Sequence, residues 1–108
     1  MKARIALAAL GLAASALPAT SPPQPHDHVV PIVAMRFGPS PTGVRAGDTI
    51  VWVNRDVVPH TATARDRSFD IVVPPGRSAR MMVRRGGVVE FYCRFHPTML
   101  GQLTVAPR

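Results

Sequence analysis

The 108-residue sequence has a single cysteine, Cys93, which excludes any disulfide within the chain. It has only six acidic residues against 13 basic ones, so its formal charge is +7. It also lacks an apolar run of the roughly 20 residues that a membrane-spanning helix needs. There is no internal repeat, and the length allows one domain at most. The sequence therefore predicts a small, basic domain that folds without a disulfide.

The first 19 residues are typical of a secretory signal peptide. Lys2 and Arg4 provide a positive start, an Ala- and Leu-rich run follows over 5–16, and small residues permit cleavage after Ala16 or Ala19. A membrane helix is the alternative, but the run is short and no stop-transfer charges follow it. Cleavage would leave a charge of +5. We therefore expect a periplasmic protein with no stable membrane insertion after cleavage.

The positive charge of the predicted mature chain belongs entirely to arginine. These arginines are scattered, and no nucleic-acid-binding motif accompanies them. An exported protein also meets little nucleic acid, so we expect no nucleic-acid partner. A basic domain favours an acidic protein partner, although arginines that merely solubilise the surface remain the alternative.

Residues 20–27 are rich in Pro, Ser and Thr and predict a flexible leader before a folded domain over 28–108. In that domain, short β-branched and apolar runs alternate with turn residues, and none has helical periodicity. This pattern predicts an all-β sandwich or barrel with Trp52 in its core. Met35, Met81 and Met82 are also expected to pack inside. The predicted strands are 29–37, 49–54, 61–64, 68–72, 78–83, 88–93 and 103–105.

Four residues form the predicted metal site. Cys93, His96 and Met99 recur at intervals of three in a short loop between two predicted strands, so their side chains can converge on one point. His60 begins another predicted strand and completes the set. A lone cysteine in an exported protein is a free thiol, an intermolecular disulfide or a thiolate that binds something, and a metal ion fits best here.

The donor types select the metal. Two imidazoles, a thiolate and a weak thioether are the donors of a blue-copper electron-transfer site. Zinc is the alternative, but it rarely binds methionine. We expect His96, between Phe95 and Pro97, to face solvent and His60 to lie inside.

The sequence resembles the cupredoxin family, and within it the amicyanin group. The resemblance covers nearly all of the predicted mature chain and is carried by the Cys-x-x-His-x-x-Met loop, 44–54, 59–61, 68–70, 75–76 and Gly101. It implies an eight-stranded Greek-key sandwich that carries electrons between periplasmic redox proteins. It also implies one type 1 copper per chain. The strong ligands would be His60, Cys93 and His96, and the axial ligand would be Met99.

Three positions depart from the family pattern. Thr61 stands where Asn commonly braces the two ligand loops, and Arg94 stands where a small hydroxyl residue often follows the cysteine. Phe95 replaces the Pro that often precedes the second histidine. Because Phe has an N–H that Pro lacks, Phe95 can donate a hydrogen bond to the Cys93 sulfur.

The expected function is that of a monomeric, non-enzymatic electron carrier with an acidic redox partner. A periplasmic copper-binding or copper-delivery protein on the same fold is the main alternative. An enzyme would need a second copper or an open coordination position, and the sequence has one complete ligand set. His26 and His28, with Asp27 between them, are a weaker candidate for an accessory metal site.

Overall fold

The computed structural model describes residues 1–13, 15, 17–18, 21 and 24–108. The predicted cleavage positions Ala16 and Ala19 lie outside the described residues. Within the described part of the chain, no helix is long and apolar enough to cross a membrane. The regular structure consists of strands: β1 (Asp27–Val33), β2 (Arg36–Phe37), β3 (Thr49–Asn54), β4 (His60–Ala64), β5 (Asp70–Val73), β6 (Ser78–Met82), β7 (Gly87–Tyr92) and β8 (Leu100–Val105).

The eight strands form two four-stranded sheets, which confirms the predicted all-β sandwich. One sheet has the order β2-β1-β3-β6 and the other has the order β5-β4-β7-β8. Strand β1 runs parallel to β3, and the other paired strands are antiparallel. The first strand begins at Asp27, one residue before the start predicted for the domain.

The core lies between the sheets and is centred on aromatic rings. In β3 the buried side chains alternate at Ile50, Trp52 and Asn54, as expected for a strand with one face inward. Trp52 is fully buried, which confirms its predicted place, and its ring meets that of Phe91 edge-on at 5.1 Å. A side chain at Gly101 would overlap the Phe91 ring, so this glycine makes room for the centre of the core.

The prediction of one continuous strand over 29–37 was wrong. The chain reverses at Ala34 and Met35, whose φ angles of 52° and 61° make a two-residue turn between β1 and β2. Two consecutive positive φ angles are typical of a type I′ hairpin turn, which usually contains Gly or Asn. Here the Asp56 carboxylate accepts both backbone N–H groups, at 2.7 and 2.9 Å. A distant side chain therefore stabilises a turn that the local sequence does not favour.

The methionines are less buried than predicted. Met35 is exposed in that turn and Met82 is exposed at the end of β6, so their predicted core positions were wrong. Met81, which points to the opposite face of β6, packs against the buried core as expected. Successive side chains of a strand point to opposite faces of the sheet, and one face of each sheet of a sandwich meets solvent, which explains the difference between the two neighbours.

The ladder between β4 and β7 is short and determines where the site forms. The two strands pair only at Thr63–Tyr92 and Ala64–Phe91. Beyond Tyr92 the chain leaves the sheet and enters the segment of Cys93 to Met99. His60, at the start of β4, and Cys93, after the end of β7, therefore lie at the same end of the sandwich.

Asp48 immediately precedes β3 and connects it to the start of β1. Its carboxylate accepts the backbone N–H groups of His26 and Arg45 at 3.1 and 3.0 Å, and it contacts Nε2 of His28 at 2.8 Å. The hydrogen bond from His28, followed by those from the two backbone groups, lowers the pKa of Asp48 from 3.8 to about 2. The carboxylate therefore binds protons less readily in the folded chain than in the unfolded one.

This pKa shift predicts a loss of stability in acid. Because the folded pKa of Asp48 is the lower one, the stabilisation is complete above about pH 4 and disappears as the pH falls toward about 2. We expect the free energy of unfolding, measured by urea denaturation, to fall more steeply over this range in the parent protein than in Asp48→Asn. Glu90→Gln, which removes an exposed carboxylate on β7, should keep the parent slope. Equal slopes in all three proteins would contradict this role of Asp48.

Candidate metal centre

Three of the four predicted ligands meet at the end of the sandwich. The donor atoms of His60, Cys93 and His96 all lie within 4.8 Å of one another. The Cys93 sulfur is 3.8 Å from Nδ1 of His60 and 3.7 Å from Nδ1 of His96. Ligand bonds of about 2.0 Å to nitrogen and 2.3 Å to sulfur, set at trigonal angles, separate the two atoms by about 3.7 Å. The spacing therefore fits a metal ion bound between the three donors.

The loop from Cys93 to Met99 consists of two consecutive turns. The His96 N–H donates to the Cys93 carbonyl at 3.3 Å, and the Met99 N–H donates to the His96 carbonyl at 2.8 Å. The Cys93 N–H donates to the Met99 carbonyl at 3.1 Å and closes the loop. Residues three apart in such turns point to similar sides of the backbone. The Cys-x-x-His-x-x-Met spacing thus places its three side chains together.

Burial differs among the four residues. His60 and Cys93 are fully buried and Met99 is nearly so, whereas His96 is partly exposed. The structure therefore confirms that His60 lies inside and that His96 reaches the surface. Met99 belongs to the same buried cluster as Cys93.

Asp56 fixes the orientation of His60. Its Oδ2 atom lies 2.8 Å from Nε2 of the His60 ring. Because an ionised carboxylate only accepts hydrogen bonds, Nε2 carries the ring proton and Nδ1 keeps its lone pair. Nδ1 is the atom that faces Cys93. The carboxylate therefore selects the tautomer in which His60 can bind a metal.

Hydrogen-bond donors surround the Cys93 sulfur. Burial acts to raise the pKa of its thiol, but the donors outweigh burial and lower the pKa from 9.0 to about 6. The foremost donor is the Thr61 N–H, which lies 3.3 Å from the sulfur. The Phe95 N–H acts in the same direction. A thiolate is the form that binds metal ions, so the site favours the binding form.

The sequence of residues 3–105 matches the family model of the cupredoxin-like domain. The chain belongs to the cupredoxin-like domain family. Amicyanin from Paracoccus denitrificans is 26% identical over 83 residues, which cover 71% of this chain and 63% of that protein. The chain thus spans less than two thirds of the length of this curated relative.

Solved structures of amicyanin support the same family assignment. The crystal structure of amicyanin from Paracoccus versutus superimposes with a TM-score of 0.62 at 25% identity, covering 71% of this chain and 78% of that one. The Cu(I) form of an amicyanin variant gives the same TM-score and identity, with 71% and 79% of the chains covered. The cupredoxin resemblance of the sequence is thereby confirmed, and the cofactor of this family is type 1 copper.

Two of the departures from the cupredoxin pattern contact each other. The Thr61 hydroxyl accepts the backbone N–H of Arg94 at 2.8 Å, so it links β4 to the residue after Cys93. A hydroxyl therefore braces the ligand loop at the position where the family commonly has an amide. The third departure, Phe95, supplies an N–H that contributes to lowering the pKa of Cys93.

The predicted accessory site does not form a metal-binding cluster. His28 is bound to Asp48, and Asp27 makes two contacts with the Arg80 guanidinium at 2.8 and 2.9 Å. Within the described ranges, the only group of three or more His, Cys, Asp or Glu donors is that of the cupredoxin site.

Sequence reasoning missed Asp56 as a partner of the site. Asp56 precedes His60 by four residues in a loop without periodicity, so no local pattern marks it. Its role depends on the fold, because the same carboxylate also holds the turn at Ala34 and Met35. The hydrogen bonds of Met35 foremost, and then of His60, hold the pKa of Asp56 below its ordinary value.

Removal of this carboxylate should weaken both the fold and the metal site. In Asp56→Ala, three donors lose their acceptor, and we expect a loss of roughly 2–4 kcal/mol in unfolding free energy. Copper affinity should fall about 10- to 100-fold, as is usual when the partner of a ligating histidine is removed. Urea denaturation of the metal-free protein and competition titration with a copper chelator measure the two effects.

Asp66→Ala is the matched control for this variant. Asp66 is another loop carboxylate that accepts a backbone N–H, that of Ser68 at 2.9 Å, but it lies in an exposed turn. It should leave both the unfolding free energy and the copper affinity nearly unchanged. Equal behaviour of the two variants would show that Asp56 does not orient His60.

Proposed function

We propose that this chain is a periplasmic, non-enzymatic electron carrier in which His60, Cys93, His96 and Met99 bind one type 1 copper ion. The observation that carries the proposal is the convergence of Cys93 with two imidazoles whose Nδ1 atoms face its sulfur. Soft sulfur donors suit Cu(I), and imidazole suits both oxidation states. The bound ion would hold one electron by alternating between Cu(II) and Cu(I).

The surroundings of the ligands support a site that keeps one geometry. His60 is held by Asp56, the sulfur is held by the Thr61 N–H, and the ligand loop is closed by its own turns. Ligands fixed in this way move little when the charge at their centre changes. A small rearrangement favours electron transfer over chemistry on a substrate.

Burial favours an electron carrier over copper delivery. A delivery protein must release its metal to an acceptor, which requires access to the ligands. In this chain His60, Cys93 and Met99 are closed off from solvent, and His96 alone of the four is partly exposed. His96 is therefore the route by which an electron would enter or leave, while the metal stays enclosed.

The charge of the chain favours an acidic redox partner. Arg94 is next to Cys93, but its Nε atom pairs with Asp70 at 3.0 Å. Arg55 lies in the loop before His60, is exposed, and forms no ion pair with any residue that the structure describes. Arg55 is therefore the better candidate for steering a partner toward this end of the sandwich.

The proposal predicts an intense blue colour when Cu(II) is added to the folded, metal-free protein at one equivalent. The colour arises from charge transfer between a thiolate and Cu(II), so Cys93→Ser should abolish it without unfolding the sandwich. Visible absorption and far-ultraviolet circular dichroism measure the two properties. Thr98→Ala changes a side chain in the same loop that is not a proposed ligand and should keep the colour.

Two results would separate the alternatives. A colourless one-to-one copper complex of the parent protein would rule out the proposed ligand set. If the protein turns blue but loses copper to a Cu(I) chelator on each reduction, copper delivery becomes the better description. Copper retained through repeated reduction and reoxidation supports the electron carrier.

Electron exchange with an anionic partner should slow as salt is added. The screening length falls from about 10 Å at 0.1 M to about 3 Å at 1 M ionic strength, so attraction by arginines is lost. With hexacyanoferrate as an anionic one-electron probe, stopped-flow rates should decrease several-fold over this range. Arg55→Ala should lower the rate at low salt and flatten the salt dependence.

Arg84→Ala provides the control for position. Arg84 precedes the six-residue strand β7, whose far end leads to Cys93, so about 20 Å separates it from the site. The Arg84→Ala variant removes the same charge as Arg55→Ala and should lower the rate of electron exchange less. A rate that salt leaves unchanged or accelerates would contradict steering by the arginines.

A further inference from the structure

Two threonines of β4 are buried, although they lie on the face of the sheet that would be expected to meet solvent. Thr61 and Thr63 alternate with His60, Ala62 and Ala64, so they point to the other face of the strand. This face is the outer face of the sheet, yet Thr61 is fully buried and Thr63 is 7% exposed. Buried hydroxyls need hydrogen-bond partners.

The hydrogen-bond partners of the two threonines form a closed circuit, which consists of Thr61, Thr63, Asp70 and Arg94. The Thr63 hydroxyl donates to Oδ1 of Asp70 at 2.8 Å, so its single proton is used. The contact of 2.9 Å between the two hydroxyls must therefore be donated by Thr61. Thr61 in turn accepts the Arg94 N–H at 2.8 Å. Arg94 completes the circuit, because its Nε atom reaches the same oxygen of Asp70 at 3.0 Å.

The hydrogen bonds of this circuit connect β4 to the chain after β7 beyond the point where the backbone ladder ends. The antiparallel register of Ala64–Phe91 and Thr63–Tyr92 would continue as Ala62–Cys93 and then place Thr61 opposite Arg94. The backbone bonds of that pair are replaced by side-chain ones. The Thr61 N–H donates to the Cys93 sulfur, and the Arg94 N–H donates to the Thr61 hydroxyl.

We propose that Thr63 and Asp70 are positioning residues that, through the Thr61 hydroxyl, hold the loop carrying Cys93 at hydrogen-bond distance from β4. Among the residues that the structure describes, neither forms a hydrogen bond with a proposed ligand. Thr63 leaves the Thr61 proton only one orientation, and Asp70 ends the chain and holds the Arg94 side chain. The effect on bound copper rests on the function proposed above, whereas the effect on the backbone does not.

Loss of the circuit should shift the reduction potential in a defined direction. A hydrogen bond to the sulfur withdraws electron density from the thiolate and so disfavours the more positive, oxidised metal. If the loop loosens, the Thr61 N–H donates less strongly, and the reduction potential should fall. The hydrogen bonds around the cysteine sulfur are among the features that set the potential of such sites.

Thr63→Val tests the proposal, because it keeps the shape of the buried side chain and removes its hydroxyl. In the metal-free protein, amide hydrogen exchange of Arg94 and Thr61, followed by NMR, should accelerate roughly three- to tenfold. In the copper-loaded protein the reduction potential should fall. Thr63→Ser restores the hydroxyl and should restore both values.

Two further variants keep the test decisive. Asp70→Ala changes a residue that is half exposed, so it folds even where Thr63→Val does not, and it should accelerate exchange of the Arg94 amide. Thr104→Val removes an exposed hydroxyl from β8 and should change neither measurement. Unchanged exchange of Arg94 and Thr61 in both Thr63→Val and Asp70→Ala would overturn the proposal, whether or not copper binds. A colourless parent protein with accelerated exchange in these variants would overturn the copper function and leave the positioning role intact.

Discussion

The site depends on the point at which the ladder between β4 and β7 stops. Up to Thr63 and Tyr92 the two strands exchange backbone hydrogen bonds, and beyond this pair the Cys93 sulfur accepts the Thr61 N–H instead. That sulfur also lies within 3.8 Å of two imidazole nitrogens. One strand end therefore places the thiolate relative to the sheet and to both histidines. A slip in register would displace every donor at once.

The second constraint comes from the other sheet. Ala34 and Met35 have positive φ angles, which cost about 1 kcal/mol or more each in residues other than Gly. Asp56 offsets this strain by accepting both N–H groups, and its Oδ2 also holds His60. The orientation of a buried histidine is thus coupled to the first hairpin, so the site is fixed from both sheets.

Local patterns in the sequence predicted what depends on near neighbours. The spacing of Cys93, His96 and Met99 follows from two turns, and the alternation in β3 places Trp52 inside. The turn at Ala34 could not be predicted, because neither of its residues favours positive φ and its stabilising carboxylate lies more than 20 positions away. The same holds for Asp56, whose contacts with the turn exist only once the strands are in register.

The departures from the cupredoxin pattern at positions 61 and 94 are explained together by the number of protons that each side chain carries. An amide both donates and accepts through separate atoms, whereas a hydroxyl has one proton. Once Thr61 accepts the Arg94 N–H inside the protein, its own proton needs an acceptor, which is Thr63. Thr63 needs one in turn, and only a group without a proton can end the chain. Asp70 is such a group, and its charge explains why an arginine follows Cys93.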